Sequence, residues 1–345
     1  MLRLTQNKAG WYFMKTHKSF TIALLFLLLL CSSCAAVLFG SVRVSISDII
    51  NVLTGTQKGT TAYVLITTVR LPRLLGGLFA GIGLSAAGVI LQGVMNNSLA
   101  SPNTIGVNSG SGFAVMLSLM LFPAGTSFIP FFAFCGALLT TLAIFCLAAI
   151  SDSSRTTIVL AGITLSSFLN AGINAIKLLD TDLSVNLTSF LIGSLSGLTF
   201  RKLFLPCLCI TAAFLMSLLF SKSLNLLSLG DDVARSLGLR VSLTRFSLLV
   251  ISSILAGCVV SYAGLLSFIG LVVPHICRHL FGSDARFLIP CSALLGASFV
   301  ILCDLLGRVL FSPFELPAGI LMSFIGGPFF LYLLLKKKGG RRVNA

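Results

Sequence analysis

Long uncharged apolar stretches alternate with short polar segments along the whole chain. They occupy about residues 20–39, 74–94, 105–121, 128–150, 158–179, 203–220, 247–264, 265–281, 287–310 and 316–335. A helix needs roughly 20 apolar residues to cross about 30 Å of hydrocarbon, and most of these stretches meet that length. The pattern predicts an all-α, polytopic membrane protein with about ten transmembrane helices. Glycine, serine and proline interrupt the third and eighth stretches, which are the weakest of the set. An even number of spans puts both ends on one side. The expected organisation is a segment 1–19, a membrane domain 20–335 with a polar loop at about 222–245, and a basic tail 336–345.

Composition agrees with lipid as the solvent. The 345 residues are 56% hydrophobic and only 10% charged, with a mean hydropathy of +1.04. A soluble domain carries about a quarter of its residues as charges and could not bury this much apolar surface in one core. The net charge of +15 is not a nucleic-acid signature, because the basic residues sit in short loops and at the two ends with no long basic face. Such residues set membrane orientation instead. With both termini cytoplasmic, 16 of the 24 Lys and Arg residues fall on that side, which predicts an N-in, C-in topology.

Two features of the start and the cysteines have plain readings. Leu28-Leu29-Leu30-Cys31 resembles a lipoprotein cleavage site, but a signal core is about 7–15 residues long and residues 20–39 are apolar for a full bilayer. A retained first helix is expected. Cys135, Cys146, Cys207, Cys209, Cys258, Cys291 and Cys303 lie inside apolar runs, where cysteine packs as a small hydrophobe. Gly77, Gly81, Ser85 and Ala86 to Gly88 give the second span a seam of small residues, read as close helix packing.

The chain contains no G-x-x-x-x-G-K-[ST] phosphate loop, so it is not expected to hydrolyse ATP. Ion-coupled carriers place acids deep in their spans. Here the acids near apolar segments are Asp304 and Glu315, flanking one short loop beside Arg308. Energy is expected to come from another subunit.

The segment 224–243 is the most informative polar stretch. Asp231 and Asp232 follow Gly230 and suit the positive start of a short helix. Gly238 can end it in the left-handed conformation, and Val233 and Leu237 form one apolar stripe. Two readings stand side by side: a docking knob for a soluble partner, or a helix lying flat at the lipid interface.

An ordered set of motifs carries a family resemblance over about residues 40–335. It begins with Arg70-Leu71-Pro72-Arg73 before a glycine-rich helix ending Leu91-Gln92-Gly93. Asn97 to Pro102 and Ile105 to Gly110 follow, then Leu229-Gly230-Asp231 to Leu237-Gly238 and Phe268 to Arg278. The set closes with Leu295-Gly296-Ala297, Asp304, Arg308, Glu315 to Gly319 and Gly326-Gly327-Pro328. Together these resemble the permeases that import ferric siderophores, haem and cobalamin, the type II ABC importers. Ser98 and Phe190 depart from the proline and tryptophan common in relatives.

The resemblance implies a non-enzymatic permease subunit of an importer in the bacterial cytoplasmic (inner) membrane. Its expected cargo is a ferric siderophore, with haem or cobalamin as alternatives; apart from the resemblance, the rival reading is a secondary transporter powered by an ion gradient. Expected partners are a second permease subunit, two ABC ATPases, an extracytoplasmic substrate-binding protein and membrane lipid, with no nucleic acid. No cofactor is expected on this chain; ATP-Mg would sit on the ATPase.

The implied coupling helix is Gly230, Asp231, Asp232, Val233, Ala234, Arg235, Leu237 and Gly238. Arg70, Arg73 and Arg308 match positions that receive carboxylates of the binding protein, a contact suited to the bidentate guanidinium. Ser154, Arg155, Thr156 and Thr157 match a region that narrows the cytoplasmic exit. His275 and His279 share a helix face with Cys277 between them, but the histidine after Pro274 belongs to the family motif and reads as structural. No metal site is expected.

Overall fold

The computed structural model describes residues 18–40, 42, 44–54, 59–103, 106–123, 128–150, 155–180 and 187–339. All regular structure among them is helical. The chain opens with α1 (Lys18–Leu38), the short α2 (Ile46–Leu53) and α3 (Thr61–Val64). A π-helical turn at Leu65–Arg70 joins α3 to α4 (Leu71–Val94). Next come α5 (Val107–Leu121), α6 (Ile129–Ile150), α7 (Arg155–Leu179) and the single turn α8 (Thr188–Ile192). The second half contains α9 (Phe200–Leu219), α10 (Ser221–Ser228), α11 (Asp231–Ser236) and α12 (Val241–Ala263). It ends with α13 (Ile269–Phe281), α14 (Ala285–Val309) and α15 (Ala318–Gly339).

Ten of these elements correspond to the ten apolar stretches. Seven are long and apolar enough to span a bilayer: α1, the fused α3–α4 helix, α6, α7, α9, α12 and α14. The other three are shorter apolar segments, at Val107–Leu121, Ile269–Phe281 and Ala318–Tyr332.

Charge was a poor marker of where helices start. The second span was expected at 74–94, but one helix runs through Thr61–Val94, 34 residues with Arg70 and Arg73 inside it. Proline clashes with the carbonyl four residues before it in a regular α-helix. Here the wider π turn lies immediately before Pro72 and relieves that clash. Likewise α12 starts at Val241 rather than near 247 and takes Arg245 into its first two turns. Both departures have one cause: these arginines have partners in the fold, so they need not stop a helix to reach water.

The centre of the bundle is α4, α12 and α14, each with 72% of its apolar window buried, against 17–22% for α1, α7 and α9. The peripheral helices turn large apolar groups outward, Phe168 and Phe204 among them. The expected small-residue seam is where α4 meets its neighbours. A Cβ on Gly81 would lie 2.3 Å from the backbone of Gly296 and Ala297 in α14, and one on Gly88 would lie 1.9 Å from the Gly270 carbonyl oxygen in α13. In lipid no hydrophobic force draws helices together, so this backbone approach supplies the packing energy.

Non-helical backbone at the broken spans is satisfied by other backbone. Leu265 N donates to Phe190 O (2.9 Å), Ser194 N to Ala263 O (2.8 Å) and Gly319 N to Gly193 O (3.1 Å). The break before α13 passes through Gly264 and Phe268, both at positive φ (72° and 67°). Interrupted backbone is tolerated at membrane depth only where it is buried in protein or lines a cavity. This junction therefore ties α8, α12, α13 and α15 together.

Candidate functional site

The polar chemistry gathers at the two ends of the bundle. At one end the C-terminus of α4, the elbow α10–α11 and the start of α14 come together. At the other the C-termini of α1 and α14 meet the π turn before α4.

At the elbow end α11 is a short helix framed by two glycines, Gly230 (φ 114°) before it and Gly238 (φ 82°) after it. The left-handed stop expected at Gly238 is present. Ala234 is fully buried on the inner side of the turn. Asp231 accepts from Arg245 Nη2 at both oxygens, 2.8 and 2.7 Å away, which fixes the start of α11 to the base of α12. Asp232 and Arg235 remain on the surface in a loose pair 3.7 Å apart. Val233, Leu237 and Leu229 stand 46%, 58% and 61% exposed, so the turn presents an apolar knob.

A second anchor holds α10. Asn225 Nδ2 donates to Asp284 Oδ1 (2.8 Å), and Asn225 Oδ1 accepts from Ala285 N (2.8 Å). Asp284 also caps α14 through Arg286 N and accepts from the Arg286 guanidinium. That guanidinium, with Asn225 assisting, holds the Asp284 carboxyl well below the usual carboxylate range against a smaller opposing effect of burial. A polar cavity of about 350 Å³ lies beside this clamp, lined by Gln92, Asn96, Asn225, Ser228 and Arg278 among others. Sequence reasoning missed the clamp. Asn225 and Asp284 stand 59 residues apart, and neither belongs to a spacing that signals a contact.

At the opposite end the three arginines Arg70, Arg73 and Arg308 are 4%, 6% and 6% exposed. Arg73 Nε donates to both oxygens of Asp304 (2.9 and 3.0 Å), and its Nη1 donates to Glu315 Oε2 at 2.6 Å. Arg308 Nε lies 3.1 Å from Asp304 Oδ2, one helical turn away, as an ion contact without hydrogen-bond alignment. Its Nη atoms reach toward the Ala36 carbonyl at 3.4 and 3.5 Å. Arg70 donates to the carbonyls of Val37, Leu38 and Val42, capping the end of α1. The structure thus brings the three sequence-selected arginines into one cluster with Asp304 and Glu315. Their guanidinium groups point into the fold, with Glu315, its side chain 31% exposed, nearest the surface.

The remaining expectations fall as follows. Ser154 lies outside the described residues, as do 1–17 and 340–345 of the end segments; the Arg155 side chain is likewise outside them. Thr156 is exposed and Thr157 half-buried in the first turn of α7. The His275 ring packs edge-on against Phe329 at 6.2 Å. Among the described residues no group of three His, Cys, Asp or Glu is placed to hold a metal ion.

Comparison with known proteins gives one consistent result. The model of the FecCD transport family matches residues 25–336. The chain is 39% identical over 272 residues to the Fe(3+)-citrate import system permease protein YfmE of Bacillus subtilis, covering 78% of this chain and 81% of that protein. It is 37% identical over 311 residues to the iron-uptake system permease protein FeuB of the same organism, covering 89% and 92%. Its fold matches a metal-chelate type ABC transporter solved in an inward-facing conformation, at a TM-score of 0.80 and 30% identity over 91% of this chain and 98% of that one.

Proposed function

This chain belongs to the FecCD transport family, and from that premise we propose that it passes a ferric siderophore through the membrane by alternating access. As a permease of a type II ABC importer it is a transport component rather than an enzyme, and it works with a permease partner and ATPase subunits. The finer reading rests on one observation: an apolar knob, Val233 and Leu237, on a short helix whose base is tied by Asp231 to the buried Arg245. A helix lying flat on lipid would not require that internal anchor. A lever that must pass a push into α12 does require it.

In this reading the ATPase grips α11 on the cytoplasmic side, with N-in and C-in topology, and ATP-Mg is held by the ATPase alone. Closure of the ATPase moves the elbow, and α10 and α12 carry the motion into the bundle. The first turn of α7, Thr156 and Thr157 included, narrows the exit. A binding protein meets the arginine end, where a carboxylate from outside would take the place of Glu315 on Arg73. The cargo stays inside its chelator, so the passage need supply no metal ligands. The names of the two Bacillus relatives, an Fe(3+)-citrate import permease and an iron-uptake permease, favour a ferric chelate over cobalamin.

The test is Val233→Asp combined with Leu237→Asp. The double variant should insert and pair normally but recover little ATPase on co-purification. A normal yield of ATPase would refute the coupling role. Uphill uptake by the chain reconstituted without any ATPase would refute the ATP-driven reading itself. Uptake of labelled ferric siderophore, haem and cobalamin by the complete assembly decides the cargo.

A further inference from the structure

At the arginine end, away from the charged cluster, a cavity of about 1070 Å³ opens between the starts of α6 and α9, the end of α12 and the segment 187–199. Its walls are of two kinds. Phe131, Phe134, Leu205 and Pro206 form an apolar side; Arg201 and Lys202, with Ser196, form a polar rim. Among the described residues no acid lines it and neither cation forms an ion pair. Among the described residues the one hydrogen bond of either side chain is the long contact from Lys202 Nζ to Gly197 O at 3.5 Å. Both cations lie in the first turn of α9, which carries no acid. There the helix dipole adds to their potential instead of offsetting it.

The surface below the rim continues the apolar side. Phe204, Leu205 and Leu208 are 74%, 64% and 58% exposed along α9, and Phe131 is 62% exposed on α6. A ligand that fits must therefore be anionic at one end and long, flexible and apolar at the other. We propose that this cavity is a binding site for an anionic phospholipid. The headgroup phosphate meets Arg201 and Lys202, and the acyl chains run down α9 and α6. A free oxyanion would leave the apolar wall wet, and a zwitterionic lipid would bring its own cation beside Arg201 and Lys202 and leave their charge uncompensated. Juxtamembrane cations attract anionic lipid for this reason. The site depends neither on the cargo nor on the ATPase.

Native mass spectrometry of the detergent-purified full chain tests the proposal by titration with phosphatidylglycerol and phosphatidylcholine of identical acyl chains. Phosphatidylglycerol should be retained with a preference of about tenfold or more, as two nearby cations imply. Arg201→Gln with Lys202→Gln should bring the two lipids to parity, whereas Lys222→Gln at the other end should leave the preference intact. Both altered side chains are exposed, so the variant should fold. Equal retention of the two lipids by the unaltered chain would overturn the proposal, as would parity reached by Lys222→Gln. An unchanged preference in the double variant would also overturn it and leave these cations to an acidic protein partner.

Discussion

Arg73 and Asp304, 231 residues apart in sequence, form a two-point pair in which Nε faces both carboxylate oxygens and Nη2 lies 2.9 Å from Oδ1. The pair staples the start of α4 to the last turns of α14. Asp304 is shared with Arg308, so one buried acid balances two buried bases. Removing one partner of a buried pair costs about 3–5 kcal/mol, because the other charge is left without compensation. Asp304→Asn should therefore lower the thermal midpoint of the purified protein sharply. Glu315→Gln should cost about 1 kcal/mol or less, its carboxylate being partly solvated. Equal shifts for the two variants would show that burial does not rank this cluster.

The seam of α4 gives a second ranking. An added methyl at Gly88 meets a backbone oxygen of α13 at 1.9 Å, a contact that only moving a helix can relieve. At Gly77 the nearest atoms are side-chain carbons of Ile301 and Leu195 at 3.4 Å, in ordinary contact. Gly88→Ala should cost about 1–3 kcal/mol through overpacking. Gly77→Ala should be neutral or slightly stabilising, since alanine favours helix by roughly 0.5–1 kcal/mol. Unfolding in detergent measures both, and a reversed order would refute backbone-on-backbone packing at Gly88.

These two results show what was legible in the sequence. Apolar run length located ten helices because lipid imposes length on every crossing, and the glycine seam was visible because small residues cluster on one helix. The elbow was readable because glycines bracket it. Charge misled at the boundaries. Arg70, Arg73 and Arg245 looked like surface residues ending spans, yet each is inside a helix with a partner on another segment: Arg70 on the end of α1, Arg73 on α14 and Arg245 on α11. The Asn225–Asp284 clamp carried no local signal at all, because its two halves meet only after α14 packs beside α10. Pairings of this kind are set by tertiary contact rather than by periodicity.

The clamp has a definite pH signature. Its folded carboxyl titrates below the ordinary carboxylate range, so the unfolded chain takes up the proton first as pH falls. The stabilisation is therefore complete above the unfolded value near 4 and is lost progressively as pH falls from there through the lower folded value. Protection at the start of α14, measured relative to intrinsic hydrogen exchange at each pH, should be level from neutral pH to about pH 5 and decline only in stronger acid. Asp284→Asn should abolish that acid dependence while exchanging faster at neutral pH. Protection that declined between pH 8 and 6 would point to a different titrating group.

Asp231 and Asp232 are adjacent acids with opposite assignments, and they test the lever directly. Asp231 faces the buried Arg245 at 2.7 Å, whereas the Asp232 side chain is fully exposed and meets Arg235 only at 3.7 Å. Losing the Asp231 carboxylate removes the two-point charged acceptor of a buried guanidinium, while losing that of Asp232 removes a surface pair worth about 0–1 kcal/mol. Asp231→Asn should loosen α11 from α12 and raise hydrogen exchange across both. It should still bind the ATPase through Val233 and Leu237, because the apolar knob is intact. Transport should fall more steeply than ATPase binding, since the grip survives and the link to α12 does not. Asp232→Asn should leave exchange, binding and transport close to the parent. Matched losses of binding and transport in Asp231→Asn would mean that the aspartate shapes the docking surface itself, and the lever would have to be sought elsewhere in the elbow.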